Sequence, residues 1–324
     1  MKQAFVTIAF AFLCTFSYAQ QPAQYSMYMF NTYGFNPAQA GLGSTLTATG
    51  GYRAQWVGLE GNPTSQFLNV TLPLNIVNSG VGLSFHNETL GARTGLMAKA
   101  SYNYILKMGD NQLSLGFSGG IMQGSLDGNR LRTPTGRYEP SSVVNHNDDI
   151  LPIVSVNGMT PIFDLGVYFK SDKIEAGLSV NNVQQPKLSL VGGQTTTEVT
   201  LSRQYYAFVG GNFGLTDKIT LHPSVLVKSD AIETQIDAST FFRFSDNIFL
   251  GTSFRGYNSK TVDAMTIFGG FKLNTNLTIA YAYDIVLSSL KVRTSASHEI
   301  ALIYNLGKEF GKGKLPPIIY NPRF

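Results

Sequence analysis

The sequence predicts an all-β, up-and-down antiparallel transmembrane β-barrel of about fourteen strands with an N-terminal plug-like segment. Three observations predict it. Five corners rich in Asp or Asn, each followed by an alternating apolar run, punctuate the chain: Gly109-Asp110-Asn111, Ser171-Asp172-Lys173, Thr216-Asp217-Lys218, Ser245-Asp246-Asn247 and Asn274-Thr275-Asn276. Asp, Asn and Gly tolerate left-handed dihedrals and hydrogen-bond their own backbone, so each corner joins two antiparallel strands. Between these hairpins lie mostly longer, irregular connections, Asn87 to Arg93, Gly124 to Pro161, Asn182 to Thr200, Gly256 to Lys260 and Ile285 to Ala296. Short turns alternating with longer loops are the mark of an outer-membrane barrel.

The third observation is period-2 alternation. Leu96, Ala98, Ala100, Tyr102, Tyr104 and Leu106 share one face, with Lys99, Ser101 and Asn103 on the other beside Met97 and Ile105. Phe163, Leu165, Val167 and Phe169 alternate with Asp164, Gly166, Tyr168 and Lys170. Ile232, Thr234, Ile236, Ala238, Thr240, Phe242 and Phe244 oppose Glu233, Gln235, Asp237, Ser239, Phe241 and Arg243. An Arg or Lys at mid-membrane costs about 2–4 kcal/mol on a barrel's lipid face, so the charged faces are expected to point into the lumen.

The strands centre on Thr47, Leu68, Leu83, Tyr102, Leu115, Val167, Leu178, Phe208, Val225, Ala238, Leu250, Thr266, Ala280 and Leu302. Pro63 and Pro73 mark boundaries of the second strand, and Pro223 removes a ladder donor, which places it at a bulge or a rim.

The N-terminus reads as a signal peptide over 1–19. Lys2 is its n-region, Ala4 to Phe16 its apolar h-region and Ser17-Tyr18-Ala19 its cleavage site before Gln20. The single cysteine, Cys14, lies within it, which leaves no disulfide framework and no zinc cluster for the mature chain. Charged residues are 14% of the sequence against about 25% in ordinary soluble domains. After the leader there is no run of about 18 apolar residues, so no membrane-spanning helix is expected.

The remaining division is 20–43 as lead-in, 44–306 as barrel and 307–324 as a periplasmic tail. The lead-in carries Tyr25, Met27, Tyr28, Met29, Phe30, Tyr33 and Phe35 without sustained alternation. It reads as a plug folded back into the periplasmic mouth, the alternative being a flexible arm awaiting a partner. From Gly307 the tail holds Lys308, Lys312, Lys314 and Arg323 among Pro316, Pro317 and Pro322, which bar a strand. Its charge suits either an acidic periplasmic partner or solvent.

Phe35-Asn36-Pro37-Ala38-Gln39-Ala40-Gly41, Arg53-Ala54-Gln55-Trp56-Val57-Gly58, Tyr281-Ala282-Tyr283-Asp284 and His298-Glu299-Ile300 resemble the hallmarks of the PorP/SprF family. His222-Pro223-Ser224 and Phe254-Arg255 fall where that family has similar residues. The resemblance runs over nearly all the mature chain. It implies an outer-membrane barrel of the type IX secretion system of Bacteroidota. Some members of the family serve export or surface attachment of particular substrates, including large gliding adhesins. Implied partners are a secreted surface protein, translocon or periplasmic components, and outer-membrane lipid. The implied function is accessory or anchor for one protein substrate, with a diffusion or uptake channel for small solutes as the alternative.

The resemblance implies no catalytic residue, cofactor or metal. Asn36, Pro37, Gly41, Arg53, Gln55, Trp56, Arg243, Arg255, Asp284, His298 and Glu299 stand as family-motif or interaction candidates. Trp56 is the only tryptophan and suits an interfacial anchor. Asp284 and Glu299 with Arg53, Arg203, Arg243 and Arg255 form either a lumenal charge network or separate lumen-filling side chains.

Enzyme and ion readings are weaker. Gly116-Phe117-Ser118-Gly119-Gly120 matches a nucleophile-elbow pattern but lacks the helix that motif requires. His222 and Ser224 share a strand face, as in outer-membrane phospholipases, without an orienting third group. Asn145-His146-Asn147-Asp148-Asp149 offers oxygen ligands without EF-hand spacing. The net charge of +4 is scattered rather than striped, so no nucleic acid is expected.

Overall fold

The computed structural model describes residues 23–43, 45–138, 144–148, 151–192, 195–257, 261–294 and 296–309. The signal-peptide reading, Gln20 and the tail beyond Glu309 lie outside these residues.

Among the described residues there is no α-helix. A few short 3-10 turns accompany β1 (Thr45–Val57), β2 (Thr64–Leu74), β3 (Ser79–Leu90), β4 (Arg93–Met108), β5 (Asn111–Asp127), β6 (Ser155–Lys170), β7 (Ile174–Asn181), β8 (Lys187–Gly192), β9 (Thr195–Thr200), β10 (Gln204–Gly211), β11 (Phe213–Thr216), β12 (Ile219–Ser229), β13 (Thr234–Phe244), β14 (Ile248–Tyr257), β15 (Thr261–Lys272), β16 (Leu277–Val286) and β17 (Ala296–Glu309). β8 and β9 pair with each other as a hairpin within a loop. β10 and β11 are one strand interrupted at Asn212, for both pair with β12. The wall is therefore a closed antiparallel barrel of 14 strands. Closure runs through β1, which pairs with β2 on one side and β17 on the other.

Alternation decides which side each residue faces. Leu68, Leu83, Tyr102, Leu115, Phe163, Leu178, Ile236, Leu250, Ile267 and Ile300 are exposed on the outer surface, while Arg53, Asn103, Asp164, Asp237, Arg255, Asp284 and Glu299 are buried within. Such a wall is an inverted globule, stable where its outer solvent is hydrocarbon.

The five Asp/Asn corners form tight turns at one end. Asn274 Oδ1 accepts from the backbone N–H groups of Asn276 and Leu277, both at 2.9 Å, and Thr216 Oγ1 accepts from that of Ile219 at 3.1 Å. Gly109 adopts φ +64°, the left-handed geometry a two-residue turn between Met108 and Asn111 demands.

Several boundaries depart from the sequence reading. Asn87 to Leu90 continue β3, leaving Gly91 and Ala92 as a tight turn instead of an irregular connection. Gly124–Asp127 and Ser155–Pro161 are strand, and the stretch from Lys187 to Thr200 contains a hairpin. Ile232 and Glu233 lie in the connection before β13, so Glu233 is not part of its inward face. β17 runs through Gly307 to Glu309, three residues beyond the expected start of the tail. Pro223 stays in register with Thr240 of β13, and on its other side the partner strand breaks at Asn212, so the missing donor falls beside a bulge.

Candidate functional site

Residues 23–43 contact inward side chains on every side of the ring. Tyr25 meets Phe67 and His86, Tyr33 meets Ser101, Asn36 meets Val167 and Leu178, Tyr28 meets Ser224, and Ser26 meets Asp284 and Glu299. Only a path through the lumen reaches all of these. The segment runs deeper than the periplasmic mouth, since Tyr25 reaches His86 near the far end of β3.

Two different surfaces hold it. On the side of β12 to β17 and β1 lies a buried charge cluster centred on Ser26. Its hydroxyl donates to Asp284 Oδ1 at 2.8 Å and accepts from Arg53 Nη1 and Arg255 Nη2, each at 3.0 Å. Glu299 receives the backbone N–H groups of Ser26 at 2.7 Å and Met27 at 3.2 Å. Arg53 Nη2 lies 2.6 Å from Asp284 Oδ2, and its Nη1 lies 3.1 Å from Glu299 Oε2. Arg255 Nε donates to Asp237 at 2.7 Å, and its Nη1 lies 3.9 Å from Asp263. Lys228 stands 3.3 Å from Asp237. Isolated charges in such a dry interior would cost many kcal/mol, so reciprocal pairing is what permits their burial.

On the opposite side the wall is notched by glycines. Asn36 caps a 3-10 turn over Pro37–Gln39, its Oδ1 accepting from Ala38 N at 3.0 Å, while its Nδ2 donates to the carbonyls of Val167 at 3.0 Å and Leu178 at 3.2 Å. Gly116 lies so close that an added Cβ would stand 2.5 Å from the Ala38 backbone. Asn103 Nδ2 donates to the carbonyls of Ala38 at 2.7 Å and Ala40 at 2.6 Å. Gly41 turns the chain at φ +64°, with the Leu72 carbonyl 2.7 Å from where a Cβ would sit. These contacts account for Asn36, Pro37 and Gly41.

The remaining candidates divide. Gln55 is buried and donates weakly to Gln24 at 3.5 Å. Trp56 occupies a bulge in β1 at φ 53°, where its backbone N–H donates to Ser297 Oγ at 3.0 Å. Of the two alternatives left open by the sequence, Arg53, Arg255, Asp284 and Glu299 adopt the clustered one. Arg203 and Arg243 do not join them: Arg203 donates to the Val183 carbonyl in a loop, and Arg243 sits at the short-turn rim, 4.0 Å from Asp246. His298 faces outward, its Nδ1 2.7 Å from the Tyr281 hydroxyl.

Sequence reasoning missed Ser26, Asp263 and Lys228 as members of the cluster. It also missed a second buried pair, Lys99 Nζ to Asp164 Oδ2 at 2.8 Å, with Ser118 donating to the same oxygen. Asp237 and Lys99 carried a signal, being charged positions on inward faces.

Motifs weighed for chemistry sit elsewhere. Gly116–Gly120 is strand, and Ser118 is engaged with Asp164. His222 stacks on Phe241 with centroids 4.5 Å apart. His146 is buried in its loop beside Tyr138 and the Pro152 carbonyl. No group of three metal-ligating side chains occurs among the described residues.

Among the described residues, hollows lie in the lumen on either side of one buried apolar cluster. One of about 160 Å³ lies toward the long loops, bounded by Tyr25, Asn69, His86, Lys99 and Asn181. The other, about 400 Å³, opens at the short-turn end. Tyr28, Phe35, Phe208 and Leu226, all of one buried apolar cluster, stand between them. Burial pushes the Tyr28 and Tyr33 phenols up to about 12, so both remain protonated throughout the physiological range.

A closed barrel with an apolar exterior and a charged interior defines an outer-membrane β-barrel protein. Among solved structures it is similar to the Ralstonia pickettii toluene transporter TbuX, at a TM-score of 0.50 and 13% identity over 83% of this chain and 91% of that one. A FadL homologue from Pseudomonas aeruginosa gives a TM-score of 0.48 at 13% identity, over 83% and 92%. At that identity the likeness is one of fold. No curated protein matches the sequence. The family model of the type IX secretion system membrane protein PorP/SprF matches residues 17–304, and the chain belongs to that family. It is thus a membrane component of that secretion system, located in the outer membrane.

Proposed function

We propose that this barrel is an accessory that anchors one specific protein substrate, of the gliding-adhesin kind, during its secretion and surface attachment. Another component of the system supplies the translocation pore. The supporting observation is the path of residues 23–43 through the lumen, held by the cluster around Ser26 on one side and the glycine notch on the other, and in this reading the segment serves as a plug. Tyr28 and Phe35 of this segment, packed on Phe208 and Leu226 of the wall, stand between the two hollows. A barrel of fourteen strands is too narrow to pass a folded adhesin, because small barrels are largely filled by their own side chains and plugs. In this reading the protein is no enzyme; it acts through its loops and its periplasmic face.

Deleting the gene and profiling surface and secreted proteins tests the reading. Loss of one surface protein with general export intact is the expected result. Unchanged export together with altered solute permeability would overturn it in favour of a diffusion channel.

A further inference from the structure

We propose that the hollow at the short-turn end is a recognition site for a peptide segment carrying a large apolar side chain next to a carboxylate. The segment belongs to a protein in the periplasm, the compartment that short turns of outer-membrane barrels face. The inference deepens the adaptor reading and rests on it for its biological setting.

The hollow, about 400 Å³, has the size of ligand-binding clefts, which run to roughly 300–1,000 Å³. Its floor is aromatic: Phe30, Phe208 and Phe241, with Met29 beside them. Phe30 lies 5.2 Å from Phe241 between ring centroids, and His222 stacks on Phe241 at an interplanar angle of 10°. The floor therefore offers ring faces and edges to an incoming aromatic or aliphatic group.

The rim is cationic. Lys170, Lys173 and Arg243 border the opening against two carboxylates, Asp172 and Glu175. Glu175 already accepts from the Tyr168 hydroxyl at 2.8 Å. Arg243 has a loose ionic partner, Asp246 at 4.0 Å, itself 77% exposed, and its guanidinium lies over the Phe241 ring 5.9 Å from the centroid. An exposed pair of that geometry contributes little, so an incoming carboxylate displaces Asp246 at small cost and gains a charge-assisted contact. His222 adds a buried Nε2 that has no hydrogen-bond partner. One opening thus joins an apolar floor to under-used polar groups.

A tethered segment suits the site better than a permeant solute, because Phe208, which lines this hollow, packs in one buried apolar cluster with Tyr28 and Leu226, which line the other. A ligand entering from the periplasm leaves by the same door. That favours an anchor over a pathway.

The test uses the full chain in detergent micelles and a fluorescein-labelled hexapeptide, Gly-Ser-Phe-Asp-Gly-Ser, followed by fluorescence anisotropy. Saturable binding is expected, weakened about tenfold when the peptide's Phe becomes Ala or its Asp becomes Asn, and likewise by Arg243→Gln. Arg293→Gln, an exposed change at the opposite end, leaves it unchanged. Resistance to unfolding in cold dodecyl sulfate verifies that each variant is a folded barrel. No binding to the folded protein, or binding indifferent to Arg243→Gln, overturns the site. Deletion of the gene separates the two readings: loss of one surface protein in the deletion strain, combined with no peptide binding, removes the site and keeps the adaptor. Arg243-dependent binding combined with a deletion that spares every surface protein keeps the site and removes the adaptor.

Discussion

Arg53 on β1 and Arg255 on β14 donate to the same hydroxyl, that of Ser26, at 3.0 Å each. Asp284 lies between the two cations, 2.6 Å from Arg53 and 3.5 Å from Arg255, and also accepts from Thr266 at 2.8 Å. Two like charges are held close only because that carboxylate and its neighbours neutralise them. Removing one partner of a buried pair typically destabilises by about 3–5 kcal/mol, so Asp284→Asn is expected to lower barrel stability by that amount. Denaturant unfolding in lipid vesicles measures it. A charge reversal, Asp284→Lys, that left assembly and substrate export untouched would remove the cluster from the mechanism.

Ser26→Ala separates the segment's stability from the wall's. The wall charges keep their mutual pairs, whereas the segment loses its hydrogen bonds to Asp284, Arg53 and Arg255. Hydrogen bonds to charged groups contribute about 1.5–3 kcal/mol each at most, and the Glu299 contacts to the backbone of Ser26 and Met27 survive. Limited proteolysis is expected to cut within 23–43 in the variant, sparing the strands. Ser101→Ala, which removes one contact to the Tyr33 hydroxyl, should leave the segment protected.

The wall was legible because a strand's two-residue period states which side a residue faces. Asp237 buried and Ile236 exposed follow directly from it. The same rule is silent about depth along the strand. Arg243 and Arg255 both face inward, but Arg243 lies at the rim while Arg255 lies beside the segment, and only the register of β13 with β14 tells them apart. His298 and Glu299 are consecutive, so parity alone sends one outward to Tyr281 and the other inward to Ser26. Ser26 carried no signal at all. It is a small polar residue in a stretch without period, and its importance comes from long-range contacts to strands some 27 to 273 residues away in sequence.

Filling the glycine notch should unseat the segment from the other side. At Gly116 even a methyl group would meet the Ala38 backbone at 2.5 Å, and neither strand nor turn has a flexible side chain to move aside. Overpacking of this kind costs about 1–3 kcal/mol, which the segment can relieve by leaving while the strand ladder stays intact. Gly116→Val is therefore expected to assemble as a barrel and to conduct ions across planar bilayers, where the unaltered protein is expected to stay closed. A variant that assembles and stays closed would show that residues 23–43 are not what seals the lumen.

Leu178 and Ile232 are almost equally exposed, at 65% and 60%, yet they are expected to respond oppositely to the same substitution. Leu178 lies on the outer face of β7, flanked by inward-facing Gly177 and Ser179, whereas Ile232 lies in the connection before β13. If the outer face of β7 is solvated by acyl chains, Leu178→Arg carries a charge into hydrocarbon and costs about 2–4 kcal/mol near the midplane. Ile232→Arg puts the same guanidinium into water at the end of the barrel and costs nearly nothing. Equilibrium folding into phospholipid vesicles distinguishes them. Equal costs at the two positions would mean that both face the same medium, and the inward-turned charges of this chain would then require a different explanation.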